Sequence, residues 1–200
     1  MTLDTRSAAY TGKVLSQYPV AVTALHKGRT NGLMALSGSS GGIVPEAPRV
    51  QVNITKYNFT HDMVLESGIF AFHLLPAGPE EALQASLKII MALSGRSGRD
   101  GDKLAGLATR PGITGVPILL DALTYVEARV VKAFDADEHT IFLGDVVAAE
   151  TLRKDPALDI GKAWSSLPKQ WVEDYGRNHH PQTDSARASR GLPLGGEVRL

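Results

Sequence analysis

The stretch Lys56-Tyr57-Asn58-Phe59-Thr60-His61-Asp62 puts a cation, an amide and a hydroxyl at alternate positions. It follows an apolar, strand-like run, Val50-Gln51-Val52-Asn53-Ile54, and precedes a short helix-like run, Met63 to Ser67, closed by Gly68. A strand giving way to a helix N-terminus suits an anion such as phosphate. The first-turn N–H groups have no partner inside the helix, and the helix dipole favours negative charge there. Lys56 would add a point charge, and Asn58 and Thr60 short hydrogen-bond donors. The purely structural alternative is a helix capped by Thr60, with Lys56 and Asn58 solvated at a loop. His61 and Asp62 stand beside Thr60, where neighbouring polar residues serve as caps more often than as a catalytic dyad.

Other chemistry-bearing residues are weighed the same way. Ser37-Gly38-Ser39-Ser40-Gly41-Gly42 is either a linker or a loop whose small residues let backbone N–H groups approach a ligand, and its place between two apolar strands favours the loop. Ser94-Gly95-Arg96-Ser97-Gly98-Arg99-Asp100-Gly101-Asp102-Lys103 has phosphate-loop composition, but lacks the Gly-Lys-Ser/Thr ending of a Walker-type site. His179-His180 has no supporting ligand spacing and reads as part of a solvated tail. On its own residues His139 is a turn histidine between Glu138 and Thr140.

Composition narrows the classes. The 200 residues contain no cysteine, which excludes disulfides, thiolate metal sites, iron–sulfur clusters and a cysteine nucleophile. Lys+Arg and Asp+Glu both count 21, so no global field draws the chain to nucleic acid or to a membrane. The N-terminal residues carry an acid and lack the apolar core of a signal peptide. A cytoplasmic protein is the expectation.

The elements that must position these residues are mostly strands. Val20 to His26 reads as a strand, Lys27 to Gly32 as a turn around Asn31-Gly32, and Leu33 to Ser37 as the returning arm. Val50–Ile54 and Phe70–Leu75 are further strands. Residues 79–93 form an amphipathic helix opened by Pro79, Glu80 and Glu81, with Leu83, Leu87, Ile90 and Met91 on one face. Residues 123–134 and 139–150 make a long hairpin about an acidic turn. Short helical pieces are expected around Pro168. Residues 1–13 read as a lead-in with a frayed helix, and Arg177 to Leu200 as an extended or disordered tail. Six or seven strands without regular βαβ alternation point to a mainly β, antiparallel barrel. The expected division is a domain over 1–150 and a C-terminal extension over 151–200.

Several segments, taken in order, resemble the flavin reductase-like family of FMN-binding split β-barrels. These are Tyr18 to Thr23, Asn31 to Ser37, Ala47 to Val52, Lys56 to Asp62, Glu66 to Phe70 and, most closely, Asp137-Glu138-His139-Thr140-Ile141-Phe142-Leu143-Gly144. The resemblance covers roughly residues 14–150. It implies a Greek-key split β-barrel with a few peripheral helices, usually a homodimer with flavin near the subunit interface. It implies FMN, with FAD as the alternative, reduction by NADH or NADPH, and in many members supply of reduced flavin to a partner monooxygenase. Carried onto this chain, Lys56, Asn58 and Thr60 would take the phosphate. Asn31, Gly32, Leu33, Met34 and Ala35 would lie against the ring, and Ser37, Ser39 and Ser40 would serve its carbonyl edge or the ribityl hydroxyls. His139 would contact nicotinamide or stabilise reduced flavin. The flavin ring performs the hydride chemistry, so no acid–base dyad is required. The chain departs from the family at Met34 and Leu36, where hydroxyl residues are frequent, and at Lys56, where arginine is frequent. Trp164 and Trp171 are expected at an interface. A non-catalytic FMN-binding or electron-carrier protein of the same fold is the alternative function.

Overall fold

A computed structural model describes residues 17–194 together with Asp4, Ser7, Thr11 and Leu15. The lead-in expected over 1–13 therefore lies largely outside the described residues. Strands β1 (Val20–His26), β2 (Arg29–Ala35), β3 (Gly38–Ser40) and β4 (Arg49–Thr55) are followed by helix α1 (Phe59–Ser67), β5 (Ile69–Leu74) and helix α2 (Glu80–Ser94). A short ribbon, β6 (Thr109–Pro111) and β7 (Pro117–Leu119), precedes the long hairpin β8 (Thr124–Ala136) and β9 (His139–Thr151). Helices α3 (Ile160–Ser166), α4 (Lys169–Asn178) and α5 (His180–Ser189) complete the described chain.

Seven strands pair antiparallel in the order β2-β1-β5-β8-β9-β4-β3. Laid flat, such a sheet would hold its two edges about 29 Å apart. Yet edge strands β2 and β3 are joined by Leu36 and Ser37 alone, a connection that reaches roughly 10 Å. The sheet must therefore curl into a barrel. Asn53 of β4 donates its backbone N–H to Ser37 O at 3.3 Å, which ties the closing corner to the opposite end of the sheet. The mainly β, split-barrel expectation thus holds, although nine strands form among the described residues rather than six or seven.

Alternation along β1 divides two cores, as a period of two requires. Val20, Val22 and Ala24 join Leu33, Val52, Ile54, Phe70 and Phe142 inside the barrel, where Met63 and Val64 of α1 plug one end. Ala21 faces out and packs with Leu83, Leu87, Ile90 and Leu93 of α2. The same outer core takes in Leu158, Ala163 and Leu167, so the segment after β9 is packed against the barrel. Gly68 ends α1 at φ 68° and donates to Val64 O, as a left-handed helix stop does. The β6–β7 ribbon is fastened by fully buried Glu127 of β8, which accepts from the N–H groups of Ile113 (3.0 Å) and Thr114 (2.8 Å) and from Thr114 Oγ1 (2.7 Å). Burial alone would raise the Glu127 carboxyl, but these bonds and the nearby Arg110 charge hold it below its ordinary value.

Two expectations need correction. The first hairpin turns at Lys27 (φ 47°) and Gly28 (φ 75°), and Asn31 and Gly32 lie inside β2 opposite Ala24 and Thr23. Two consecutive positive φ values make the tight turn that matches strand twist. Gly32 is needed for packing instead, because a Cβ there would stand 2.9 Å from Leu93 Cδ2 of α2 and 3.1 Å from Val22 O. The second correction concerns the tail, which is helical through Ser189 rather than extended from Arg177. Trp171, Tyr175 and His179 recur every four residues along that segment with ring centroids 5.2 Å apart at each step, the first pair stacked and the second tilted by 31°. That contact supplies the burial which a Gly- and Ser-rich composition concealed.

Candidate functional site

A cleft of about 500 Å³ opens where the closing corner of the barrel meets the C-terminal end of α2 and helices α3–α5. That volume suits one ligand of mononucleotide size. One wall is β2 and its exit, Asn31 and Leu33 to Ser37. Another is Asn53 to Thr55 of β4, followed by Tyr57, Asn58, Phe59 and Thr60. The α2 end contributes Leu93, Ser94 and Gly95, and the loop after it contributes Arg96, Ser97, Gly98 and Lys103. Trp164, Tyr175, Asn178, His179 and Gln182 complete the lining.

The strand-to-helix motif forms as its spacing predicts, but Asn58 occupies the N-cap position and Thr60 lies within α1. Asn58 forms no side-chain cap bond, which leaves its amide for a ligand. Buried Thr60 accepts from Asn31 Nδ2 at 2.9 Å. Asn31 is 2% exposed, and its Oδ1 has no hydrogen-bond partner among the described residues. His61 is held away from the cleft, with Nε2 2.8 Å from Thr140 Oγ1 and Nδ1 3.1 Å from Asp62 Oδ1. The pair bridges α1 to β9.

The loop after α2 is pinned onto this motif. Arg99 donates to Tyr57 O (3.0 Å) and to Asp62 Oδ2 (2.7 Å), and its guanidinium lies 5.3 Å from the Phe59 ring centroid. Gly98 presses on Asn31 so closely that a Cβ would stand 2.2 Å from Oδ1. Lys103 is the electrostatic centre of the loop. It is 5% exposed and has no carboxylate partner among the described residues. Burial, reinforced by the Arg96 charge, lowers its ammonium to about 8. Arg96 donates to the Asp102 carbonyl at 2.6 Å and is likewise without an acid. Two uncompensated cations, one of them buried, beside an amide, hydroxyls and loop N–H groups make a seat for a phosphate-bearing ligand. The orphaned Asn31 oxygen adds an acceptor for a polar N–H or O–H. A flavin mononucleotide, with an anionic tail, a hydroxylated chain and a ring with hydrogen-bonding edges, fits this donor set.

Of the residues expected from sequence, Asn31, Leu33, Met34, Ala35, Ser37, Asn58 and Thr60 come together in the cleft. Gly32 is buried behind it under Leu93. Ser39 and Ser40 stand exposed on edge strand β3, opposite Gln51 and Val50. Lys56 turns outward, its Nζ 2.6 Å from Asp135 Oδ1, a contact that lowers the Asp135 carboxyl. His139 is not among the residues that line the cleft; it lies across the ladder from Thr55, which does line it, with its Nδ1 3.7 Å from Glu138 Oε1. Residues 94–103 do not follow a Walker pattern, so their sequence alone does not mark them as a phosphate site. Their usable signal is three cations, Arg96, Arg99 and Lys103, among Ser, Gly and Asp directly after a helix. Trp164 and Trp171, expected at an interface, pack within the chain against α2 and Tyr175. His179, expected on a solvated tail, has a half-buried ring in the cleft, with its basicity lowered by burial and then by His180. Among the described residues no group of three His, Asp or Glu side chains is placed to hold a metal ion, and no helix is long and apolar enough to cross a membrane.

Comparison with known proteins adds an independent finding. The profile of the flavin reductase like domain matches residues 14–166. The chain is 34% identical over 106 residues to the ferric-chelate reductase (NAD(P)H) of Archaeoglobus fulgidus, covering 52% of this chain and 59% of that protein. It is 27% identical over 157 residues to the FMN reductase (NADH) SmoA of Agrobacterium fabrum, covering 78% and 84%. Among solved structures, the FMN-binding protein from Thermus thermophilus with bound 1-cyclohex-2-enone superposes with a TM-score of 0.58 at 28% identity, over 68% of this chain and 70% of that one. The chain spans between 49% and 59% of the length of three of the curated relatives it matches.

Proposed function

Because the chain belongs to the flavin reductase-like family, we propose that it binds FMN in the cleft and catalyses hydride transfer from NADH or NADPH to that flavin. The observation that carries the proposal is the buried, unpaired Lys103 beside Arg96, within one cleft with Asn31, Asn58 and Thr60. Arg96, Lys103, Ser97 and Asn58 hold the phosphate. Asn31 and the β2 wall from Leu33 to Ser37 orient the ring. Bound flavin supplies the two-electron hydride acceptor. The chain's own contribution is to fix the ring, exclude water from one face and leave an approach for nicotinamide at the rim beside His139. His139 donates to the carboxamide or balances charge on the reduced ring. Lys56 lends the phosphate end a more distant charge, shared with Asp135.

Met34 and Leu36, which line the wall where hydroxyls are frequent in the family, favour the second reading, an FMN-binding electron carrier. The visible spectrum of FMN-loaded protein separates the two. Bleaching of the flavin bands by NADH or NADPH supports the reductase. Bands that bleach with dithionite but with neither nucleotide support the carrier. We further propose a cytoplasmic homodimer. Exposed Ile43 (97%) and Val44 between β3 and β4, with Phe134 on β8, offer apolar surface for it, and the mass in solution by light scattering tests it.

A further inference from the structure

The family profile ends at residue 166, and α4 and α5 follow it. These helices are fastened at two places with the cleft between them. At one end Trp171 joins the outer core and lies against Gly95, where a Cβ would be 3.7 Å from its Nε1. At the other end Arg190 Nη1 stands 3.5 Å from Glu138 Oε2 in the β8–β9 turn. Glu138 is itself tied to the motif, because its carbonyl accepts from Lys56 N at 3.0 Å. Between the two anchors, Tyr175, Asn178, His179 and Gln182 all face the cleft. The segment thus runs from the end of α2 to the tip of the long hairpin, across the site. What it presents is mixed. Tyr175 and His179 offer ring faces, backed by Trp164 and Trp171. Asn178 and Gln182 offer amides. A flat ring carrying polar edges matches that pairing.

We propose that residues 168–190 are a strap that completes the flavin site with Tyr175, Asn178, His179 and Gln182 and keeps FMN as a resident cofactor whose release is slow compared with turnover. The proposal rests on the flavin reading of the cleft. It differs from a mode in which reduced flavin leaves to serve a separate enzyme, because a ligand covered on this side cannot depart until the strap lifts. Lifting it breaks the Arg190–Glu138 pair and separates the stacked rings from the cleft wall.

The test uses the full-length protein loaded with FMN, and follows FMN fluorescence after rapid dilution. Three variants are compared with the parent. Arg190→Glu repels Glu138. The double exchange Glu138→Arg with Arg190→Glu restores attraction. Tyr175→Ala removes the central ring. Arg190 and Glu138 lie outside the buried cores, so these substitutions leave the barrel intact, and far-UV circular dichroism verifies it. We expect three- to fivefold faster release for Arg190→Glu, return to the parent rate in the double exchange, and at least tenfold faster release for Tyr175→Ala. Equal release rates in all four proteins, with FMN bound in each, overturn the strap and leave the flavin site standing. Absence of FMN binding in the parent overturns the flavin reading, and the strap with it.

Discussion

Lys103 and His73 are both buried nitrogen bases, and their surroundings give them opposite duties. Lys103 has a lowered ammonium value of about 8 and no acid beside it, so an arriving phosphate supplies the missing charge. Lys103→Met is expected to weaken FMN binding about 10- to 100-fold, the worth of one charge-assisted hydrogen bond, and to leave riboflavin, which has no phosphate, nearly unaffected. Parallel fluorescence titrations with the two flavins measure this. Below pH 8 the charge is already present when FMN arrives. Above it a proton must be taken up on binding, so affinity falls as pH rises from 8 to 9.5, and Lys103→Arg flattens that slope. His73, by contrast, is fully satisfied as a neutral ring. Its Nδ1–H donates to Ala21 O and its Nε2 accepts from Leu119 N–H, each at 3.1 Å. Burial lowers its value to about 4 against the pull of the Ala21 carbonyl and the Glu127 charge. The folded value lies below the unfolded one near 6.5, so the unfolded chain takes up the proton first as pH falls. Stability is whole above about pH 6.5 and drops by about 3 kcal/mol towards pH 4 through this group. Urea unfolding at pH 7, 5.5 and 4.5 tests it, and His73→Gln, less stable at pH 7, should show a smaller fall. The sequence alone does not assign these duties. His73 stands in an apolar strand run and Lys103 in a mixed-charge loop, but only the folded neighbours decide which base is left wanting a partner.

At the scale of elements, two glycines decide how α2 and its loop meet the barrel. Gly32 admits Leu93 to β2, and Gly98 admits the 94–103 loop to Asn31. A methyl at Gly98 would meet Asn31 at 2.2 Å, and Asn31 is buried and bonded to Thr60, so the loop must lift instead. Gly98→Ala should therefore reduce FMN affinity tenfold or more while shifting the melting temperature by only a few degrees, since the loop lies outside both cores. Calorimetry with and without FMN separates the two effects. The long elements were legible in the sequence because their periods are strong. The α2 stripe and the β8–β9 hairpin both appear within two residues of expectation. The first turn does not fall where the sequence places it, because Asn-Gly satisfies turn chemistry wherever it occurs, whereas the need for Gly32 arises from a helix some sixty residues away. Likewise Lys56 carries the right charge next to the right motif, but its side chain leaves on the outer face of the turn and meets Asp135. The cation that faces the cleft comes from a loop whose place depends on Arg99 gripping Tyr57 and Asp62.

For the whole molecule the open question is whether the C-terminal helices are an appendage or part of one cooperative body. The sequence changes character after Thr151, which argues for an appendage. The packing argues otherwise. Leu158, Ala163 and Leu167 are 1–7% exposed and share one core with α2, while Leu158 N–H bonds to Leu75 O at 2.8 Å and Ala77 N–H to Pro156 O at 2.8 Å. Removing those contacts would expose the outer face of β1 and one side of α2 together, so neither half can lose the other without loss of its own burial. Both tryptophans of the chain, Trp164 and Trp171, lie in this segment, whereas all nine described strands precede it, so the β-sheet component of the far-UV circular dichroism reports on the barrel. The two probes are therefore natural reporters of the two halves. We expect tryptophan emission and far-UV circular dichroism to give the same midpoint within about 1 °C in thermal unfolding, and the same midpoint in urea. FMN bound in the proposed cleft, between the barrel wall and the strap, should raise both midpoints by the same amount, as a ligand bound only to the folded whole requires. A tryptophan transition several degrees below the circular dichroism transition would mean that the segment detaches first. The barrel would then be the only unit on which the stability of the site depends.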